Sequence, residues 1–154
     1  MTNLADLADL MPIQVWDGVV ARRIQGDQLT LAVVELGPDA VVPSHRHANE
    51  QCGLVIEGEV TFRIGDEERV LGPGGTWRIV GDTPHSVVTG PGGAVVIDVF
   101  APARDDWDDR PTVGTENAKP ELVWPRDLGP MASRSSASGL GGPAARSLSQ
   151  TRGF

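Results

Sequence analysis

Between Val19 and Phe100, apolar and β-branched residues come in short runs: VVARRI (19–24), QLTLAVVEL (28–36), VVP (41–43), CGLVIE (52–57), VTFRI (60–64), RVL (69–71), TWRIV (76–80), HSVV (85–88) and AVVIDVF (94–100). Glycine-bearing turns separate them: Gly26-Asp27, Gly37-Pro38-Asp39, Gly58-Glu59, Gly65-Asp66, Gly72 to Gly75, Gly81-Asp82 and Gly90 to Gly93. Turn signals at intervals of roughly ten residues, with no long helical period among them, predict an all-β sandwich or barrel. Ahead of these runs, LADLADLM (4–11) repeats leucine every third residue and predicts a short helix or helical turn on the body of the protein. Residues 1–18 are thus read as an N-terminal arm and 19–104 as the barrel.

After Phe100 the pattern changes. Residues 105–128 are proline-rich and acidic, and Trp107 and Trp124 are expected to anchor this extended segment on the barrel. Residues 129–154 are rich in Ser, Gly, Ala and Arg, with apolar residues too sparse to bury a face, and are expected to be disordered.

Composition narrows the classes. A chain of 154 residues supports one core, not two ordinary ones. Net charge −8 argues against non-specific nucleic-acid binding, since little here would displace counterions from a phosphate backbone. The single cysteine, Cys52, excludes an intrachain disulfide framework and fits a reducing compartment. The N-terminal stretch lacks a basic start and carries aspartates among its leucines, unlike a signal peptide. No apolar run reaches the ~20 residues of a membrane helix. The expectation is a cytoplasmic protein with no nucleic-acid or membrane partner.

The candidate chemistry centres on HRHANEQ (45–51) and the third and last histidine, His85. On an extended strand, His45 and His47 project from one face, because side-chain direction alternates with period two. Imidazoles so placed can share one first-row metal ion. With Gln51 close behind and His85 set by Pro84 on a separate strand, three imidazoles and one amide oxygen would point into the barrel interior.

These residues resemble the cupin superfamily over about residues 28–104. Its first motif, a glycine, His-x-His, an acidic ligand and a closing glycine, is met by Gly37, His45, His47, Gln51 and Gly58. Glutamine stands where the acid is usual. The second motif, ending in Pro-His, maps onto Pro73 to His85, and departs at Val80, Asp82 and Thr89, none of them a ligand position. The resemblance implies a cupin-type β-sandwich or jelly-roll barrel whose metal ligands are His45, His47, Gln51 and His85. The family spacing to Gly58 selects Gln51 rather than Glu50, which is left beside the pocket as a supporting contact or rim salt bridge. A neutral set leaves the charge of a divalent ion unquenched, which favours Lewis-acid over redox chemistry. It suits zinc, nickel, iron, manganese or cobalt alike. Cys52 should point to the opposite face as a small buried hydrophobe. Gly53 falls on the ligand face, where the lack of a side chain leaves room for a substrate.

Asp98 interrupts the apolar run AVVIDVF and shares a strand face with Phe100; a carboxylate there is costly to bury unless paired or functional. A plain Asp98–Arg104 salt bridge closing the barrel mouth is one reading. The other rests on resemblance: the run Asp98, Phe100, Pro102, Arg104 is similar to that of small single-domain cupins of pectin and alginate breakdown, which linearise unsaturated uronates. That resemblance implies Asp98 as the proton-transfer residue, Phe100 as a pocket wall and Arg104 as a clamp for a substrate carboxylate. Arg63 and Arg78 sit mid-strand with either parity open, the solvent face being the commoner, and Trp77 is read as packing.

Three functions compete. The first is a metal-dependent isomerase or ring-opening enzyme acting on a small carboxylate-bearing substrate. The second is a dioxygenase of the flavonol- or thiol-oxidising kind, disfavoured by Gln51. The third is a non-catalytic metal- or ligand-binding cupin. The absence of a helix-turn-helix segment argues against a transcription factor. A homodimer is expected, because barrel edges need cover and the N-terminal leucines and Trp16 are available for it.

Overall fold

The computed structural model describes residues 2–125. The strands are β1 (Ile13–Trp16), β2 (Val19–Gln25), β3 (Thr30–Leu36), β4 (Val41–His45), β5 (Glu50–Ile64), β6 (Glu67–Leu71), β7 (Thr76–Ile79) and β8 (His85–Ala101). Pairing is antiparallel throughout, in the order β1-β2-β3-β8-β5-β6, with β4 on β8 and β7 on β5. The all-β expectation holds.

Two of the predicted breaks are corners rather than ends. Gly58-Glu59 and Gly90 to Gly93 were expected to separate strands, yet β5 and β8 run through them. Pairing proceeds from Glu50↔Ala101 to Gly58↔Ala94, jumps to Val60↔Thr89, and continues to Ile64↔His85. Both strands bend at this jump, and within the one sheet the two halves of each pair with different neighbours. The first half of β5 lies between β7 and the second half of β8, which continues to β3, β2 and β1; the other halves carry β6 and β4. Gly58 and Gly93 take positive φ of 78° and 66° here, and a Cβ on Gly58 would run into the Gly93 carbonyl. Glycine is required at this bend.

Alternation decides what faces inward. Along β3, Thr30, Ala32, Val34 and Leu36 are buried; along β8, His85, Val87 and Thr89, then Ala94, Val96, Asp98 and Phe100. The apolar members join Ile13, Val15, Val55, Val60, Phe62, Trp77 and Ile79 in one core cluster. Of the polar members, His85 and Asp98 line one cavity, where the site forms, whereas Thr89 bonds the Gly37 carbonyl and the Ala40 N–H near the bend.

The short helix or helical turn expected over 4–11 forms as one 3-10 turn, Leu7–Asp9, while residues 13–16, expected to belong to the arm, are a strand of the sheet. Leucines at every third position serve a 3-10 turn as well as an α-helix, and Pro12 stops either from continuing. After β8 a 3-10 helix, Asp105–Asp109, buries Trp107, and the chain then returns along β1 with Gln14 N–H donating to the Pro111 carbonyl and Val113 N–H to that of Pro12. Residues 129–154, expected to be disordered, lie outside the described residues. Among the described residues no helix is long and apolar enough to cross a membrane.

Candidate metal centre

His45 closes β4 and His85 opens β8, and the two are register partners. His47 lies just beyond β4, in the connection to β5, not on the strand as expected. That connection is pinned from both sides: Asp82 N–H donates to the His47 carbonyl at 2.7 Å, and the Asn49 amide to the Pro102 carbonyl at 2.6 Å. The rings of His45 and His85 are 4.3 Å apart, those of His47 and His85 5.0 Å, and those of His45 and His47 5.8 Å. One ring nitrogen from each lies within 4.8 Å of the others.

The backbone fixes which nitrogen that is. Nδ1 of His45 faces the Pro43 carbonyl at 2.8 Å, that of His47 the Asn49 carbonyl at 3.0 Å, and that of His85 the Thr83 carbonyl at 2.8 Å. A carbonyl only accepts, so each Nδ1 carries the proton and each Nε2 keeps a lone pair for the shared centre. Burial holds all three imidazoles below their usual pKa, His85 down to about 4, so they stay neutral at pH 7.

Gln51 adds a fourth donor. Its Nε2 donates to Asp98 Oδ1 at 2.8 Å, which turns its Oε1 towards His47 Nε2, 3.2 Å away. With the His47 proton on Nδ1, two lone pairs face one another across that gap. Flipping the amide would set oxygen against the Asp98 carboxylate instead. Nor does buried His85 Nε2 have a hydrogen-bond partner. A cation at the convergence of the three Nε2 atoms and Oε1 resolves these contacts together, so the residues present fit a metal ion.

Asp98 lies directly behind this set. Its inward row reads Trp77, Gly53, Asp98, Ala32 across β7, β5, β8 and β3. Trp77 Nε1–H also donates to Asp98 Oδ1 at 2.8 Å. Burial pushes the Asp98 pKa up to about 6, against the pull of the Gln51 and Trp77 hydrogen bonds. Arg104 lies against Phe100, its guanidinium carbon 5.0 Å from that ring and 4.8 Å from the Trp107 ring. A cavity of about 300 Å³ joins these groups, with His45, His47, Gln51, His85, Asp98, Phe100 and Arg104 all in its wall.

A model described as a cupin domain matches residues 32–100. The pectin degradation protein KdgF of Dickeya dadantii (strain 3937) is 30% identical over 96 residues, which is 61% of this chain and 87% of that protein. The chain belongs to the cupin superfamily. KdgF from a Halomonas species has a solved structure that matches this cupin at TM-score 0.58 and 29% identity, over 62% of this chain and 88% of that one. An RmlC-like cupin from Shewanella frigidimarina matches at TM-score 0.64 and 22% identity, over 69% and 96%, a likeness of fold.

Several expectations about this cupin need correction. The space before Gly53 is not open to substrate: a Cβ there would lie 2.5 Å from Asp98 Oδ1 and 2.6 Å from Trp77 Cε2. The missing side chain admits Asp98 and Trp77. Glu50 is exposed and outside the cavity wall, since neighbouring positions on β5 face opposite ways and Gln51 takes the inward one. Cys52 does point away from Gln51, but its face is exposed rather than buried. The Asp98–Arg104 salt bridge does not form: Arg104 binds Asp106, and Asp98 is satisfied by Gln51 and Trp77. Arg63 and Arg78 do face solvent, as the commoner of the two parities had it.

Sequence reasoning missed Trp77 as a hydrogen-bond donor, Asp106 as the partner of Arg104, and Trp16, whose ring lies 5.1 Å from that of His45. Trp77 is recognisable only once β7 is in register with Gly53. Asp106 carried a visible signal, an acidic run starting directly after Arg104.

Proposed function

We propose that this cupin is a metal-dependent enzyme that isomerises a small carboxylate-bearing sugar acid by ring opening, with an unsaturated uronate as the substrate class. The observation that carries the reading is the contact between Gln51 and Asp98: one hydrogen bond ties the fourth candidate ligand to the carboxylate best placed to move a proton. His45, His47, His85 and Gln51 would hold the ion. A divalent ion bound there supplies Lewis-acid polarisation of a substrate oxygen.

The remaining work falls to the chain itself. Oδ1 of Asp98 accepts two hydrogen bonds, leaving Oδ2 to take and return a proton. Ring opening of an unsaturated uronate needs that exchange: the hemiacetal hydroxyl loses a proton, the bond from its carbon to the ring oxygen breaks, and the enolate formed takes the proton on carbon. Atoms balance with no oxidant. Phe100 and Trp107 screen this exchange from water, and the Arg104 guanidinium beside both rings orients the substrate carboxylate. Similarity to two KdgF proteins, one named for pectin degradation, supports the substrate class.

The test is to load the purified protein separately with zinc, nickel, iron, manganese and cobalt, and follow loss of the ultraviolet absorbance of an unsaturated uronate beside an oxygen electrode. Metal-dependent loss without oxygen uptake is expected. Oxygen uptake with a flavonol or thiol, and no uronate turnover, would move the protein to the dioxygenases.

A further inference from the structure

A second role at the cavity mouth rests on the proposed function, in which Arg104 orients the substrate carboxylate. One fork of Arg104, Nε with Nη2, is already filled. Nε and Nη2 donate to Oδ1 and Oδ2 of Asp106, each at 2.8 Å. This is the paired geometry a guanidinium makes with any carboxylate, so Asp106 stands where a ligand's carboxylate would stand.

The two partners are held very differently. The Arg104 side chain is 9% exposed, its guanidinium lies against the touching rings of Phe100 and Trp107, and its backbone N–H donates to Oγ1 of fully buried Thr30 at 2.9 Å. The Asp106 side chain is 57% exposed, and the side-chain partner it has is Arg104. Arg104, Asp106 and Arg110 all line the cavity that holds His47 and Gln51. Arg110 is close enough to help hold the Asp106 carboxyl below the usual carboxylate range, after the dominant effect of Arg104. A carboxylate leaving Arg104 thus remains beside a second cation.

We propose that Asp106 is a specificity-determining residue: its carboxylate occupies the subsite for the substrate carboxylate and must be displaced before an acidic ligand docks. A simple carboxylate offers Arg104 no more than Asp106 does, and Asp106 is tethered two residues away at high effective concentration. A sugar acid displaces it because the rest of the molecule also contacts the cavity. The device selects against small free acids by competition rather than by size.

The test is equilibrium titration of the full chain with D-galacturonate, D-galactose and acetate, comparing wild type, Asp106→Asn and Asp108→Asn. Asp108 lies in the same 3-10 helix, pairs with Arg23, is 65% exposed and does not line the cavity, so it controls for the change in net charge. Asp106→Asn should bind galacturonate and acetate roughly 3- to 10-fold more tightly, on the scale of one released ion pair, with galactose unchanged. Asp108→Asn should match wild type for all three. Galacturonate binding that is unchanged or weaker in Asp106→Asn, with an unaltered unfolding midpoint, would overturn the proposal and leave Asp106 as a support for Arg104. An equal gain in Asp108→Asn would overturn it too, by assigning the effect to overall charge. Wild type and Asp106→Asn both binding galactose as well as galacturonate would instead sink the role of Arg104, and with it the proposed substrate class.

Discussion

Gln51 gives its amide hydrogen to Asp98 Oδ1 at 2.8 Å, and that bond decides which end of the amide faces the histidines. It also gives a reason for glutamine at a position where cupins usually carry an acid. A glutamate at 51 would set a second carboxylate against Asp98 in a buried site, where like charges cannot both stay ionised. Gln51→Glu should therefore lower the unfolding free energy of the metal-free protein by about 1–3 kcal/mol, read by denaturant titration. Equal stability of the two proteins would show that Asp98 does not need the amide.

Gly53 tests the same arrangement from the other side. A methyl group there meets the Asp98 carboxylate, the Ile97 carbonyl and the Trp77 indole at 2.5–2.6 Å. Gly53→Ala should cost on the order of 1–3 kcal/mol and shift Asp98 off the ligand set. Thermal unfolding and turnover should both fall. Wild-type values for both would mean that the row across Gly53 has room for a methyl group.

The metal-free protein should lose stability as pH falls below neutrality. His85 is held down to about 4 by burial, and His45 and His47 are also lowered. Between the ordinary histidine value near 6.5 and the folded value, the unfolded chain binds protons that the native site refuses, so the stability present above that window is lost as pH drops through it. Asp98 works the other way. Its pKa is raised to about 6, so its contribution is full below the usual carboxylate value and is lost as pH rises through about 6. Removing one histidine separates the two effects: His85→Gln should show a smaller fall in midpoint from pH 7 to pH 5 than wild type. An identical fall would remove His85 as a source of the pH dependence.

The fold was legible because strand alternation and glycine turns are local signals. The places where the reading failed are the corners, where Gly58 and Gly90 to Gly93 look like chain reversals but are bends within β5 and β8. A bend and a reversal use the same residues, and only the pairing of Gly58 with Ala94 distinguishes them. His45, His47, Gln51 and His85 could be named from their spacing and family resemblance, and the structure brings them together. What lay behind them was hidden, because it depends on register between distant strands: Trp77 and Asp98 meet across Gly53 only when β7, β5 and β8 are aligned. Arg104 went to Asp106 rather than Asp98 because a carboxylate two residues away is met at far less entropic cost than one across the cavity.

The measurement that bears most directly on the proposed chemistry compares wild type with Asp98→Asn after loading with metal. Asparagine can turn its oxygen to Gln51 and Trp77 and keep both hydrogen bonds, but it cannot carry the proton. Metal analysis should find one ion per chain in both proteins, while turnover of the unsaturated uronate falls roughly a hundredfold or more in the variant. An Asp98→Asn protein that holds its metal and turns over at the wild-type rate would contradict the proton-transfer role of Asp98.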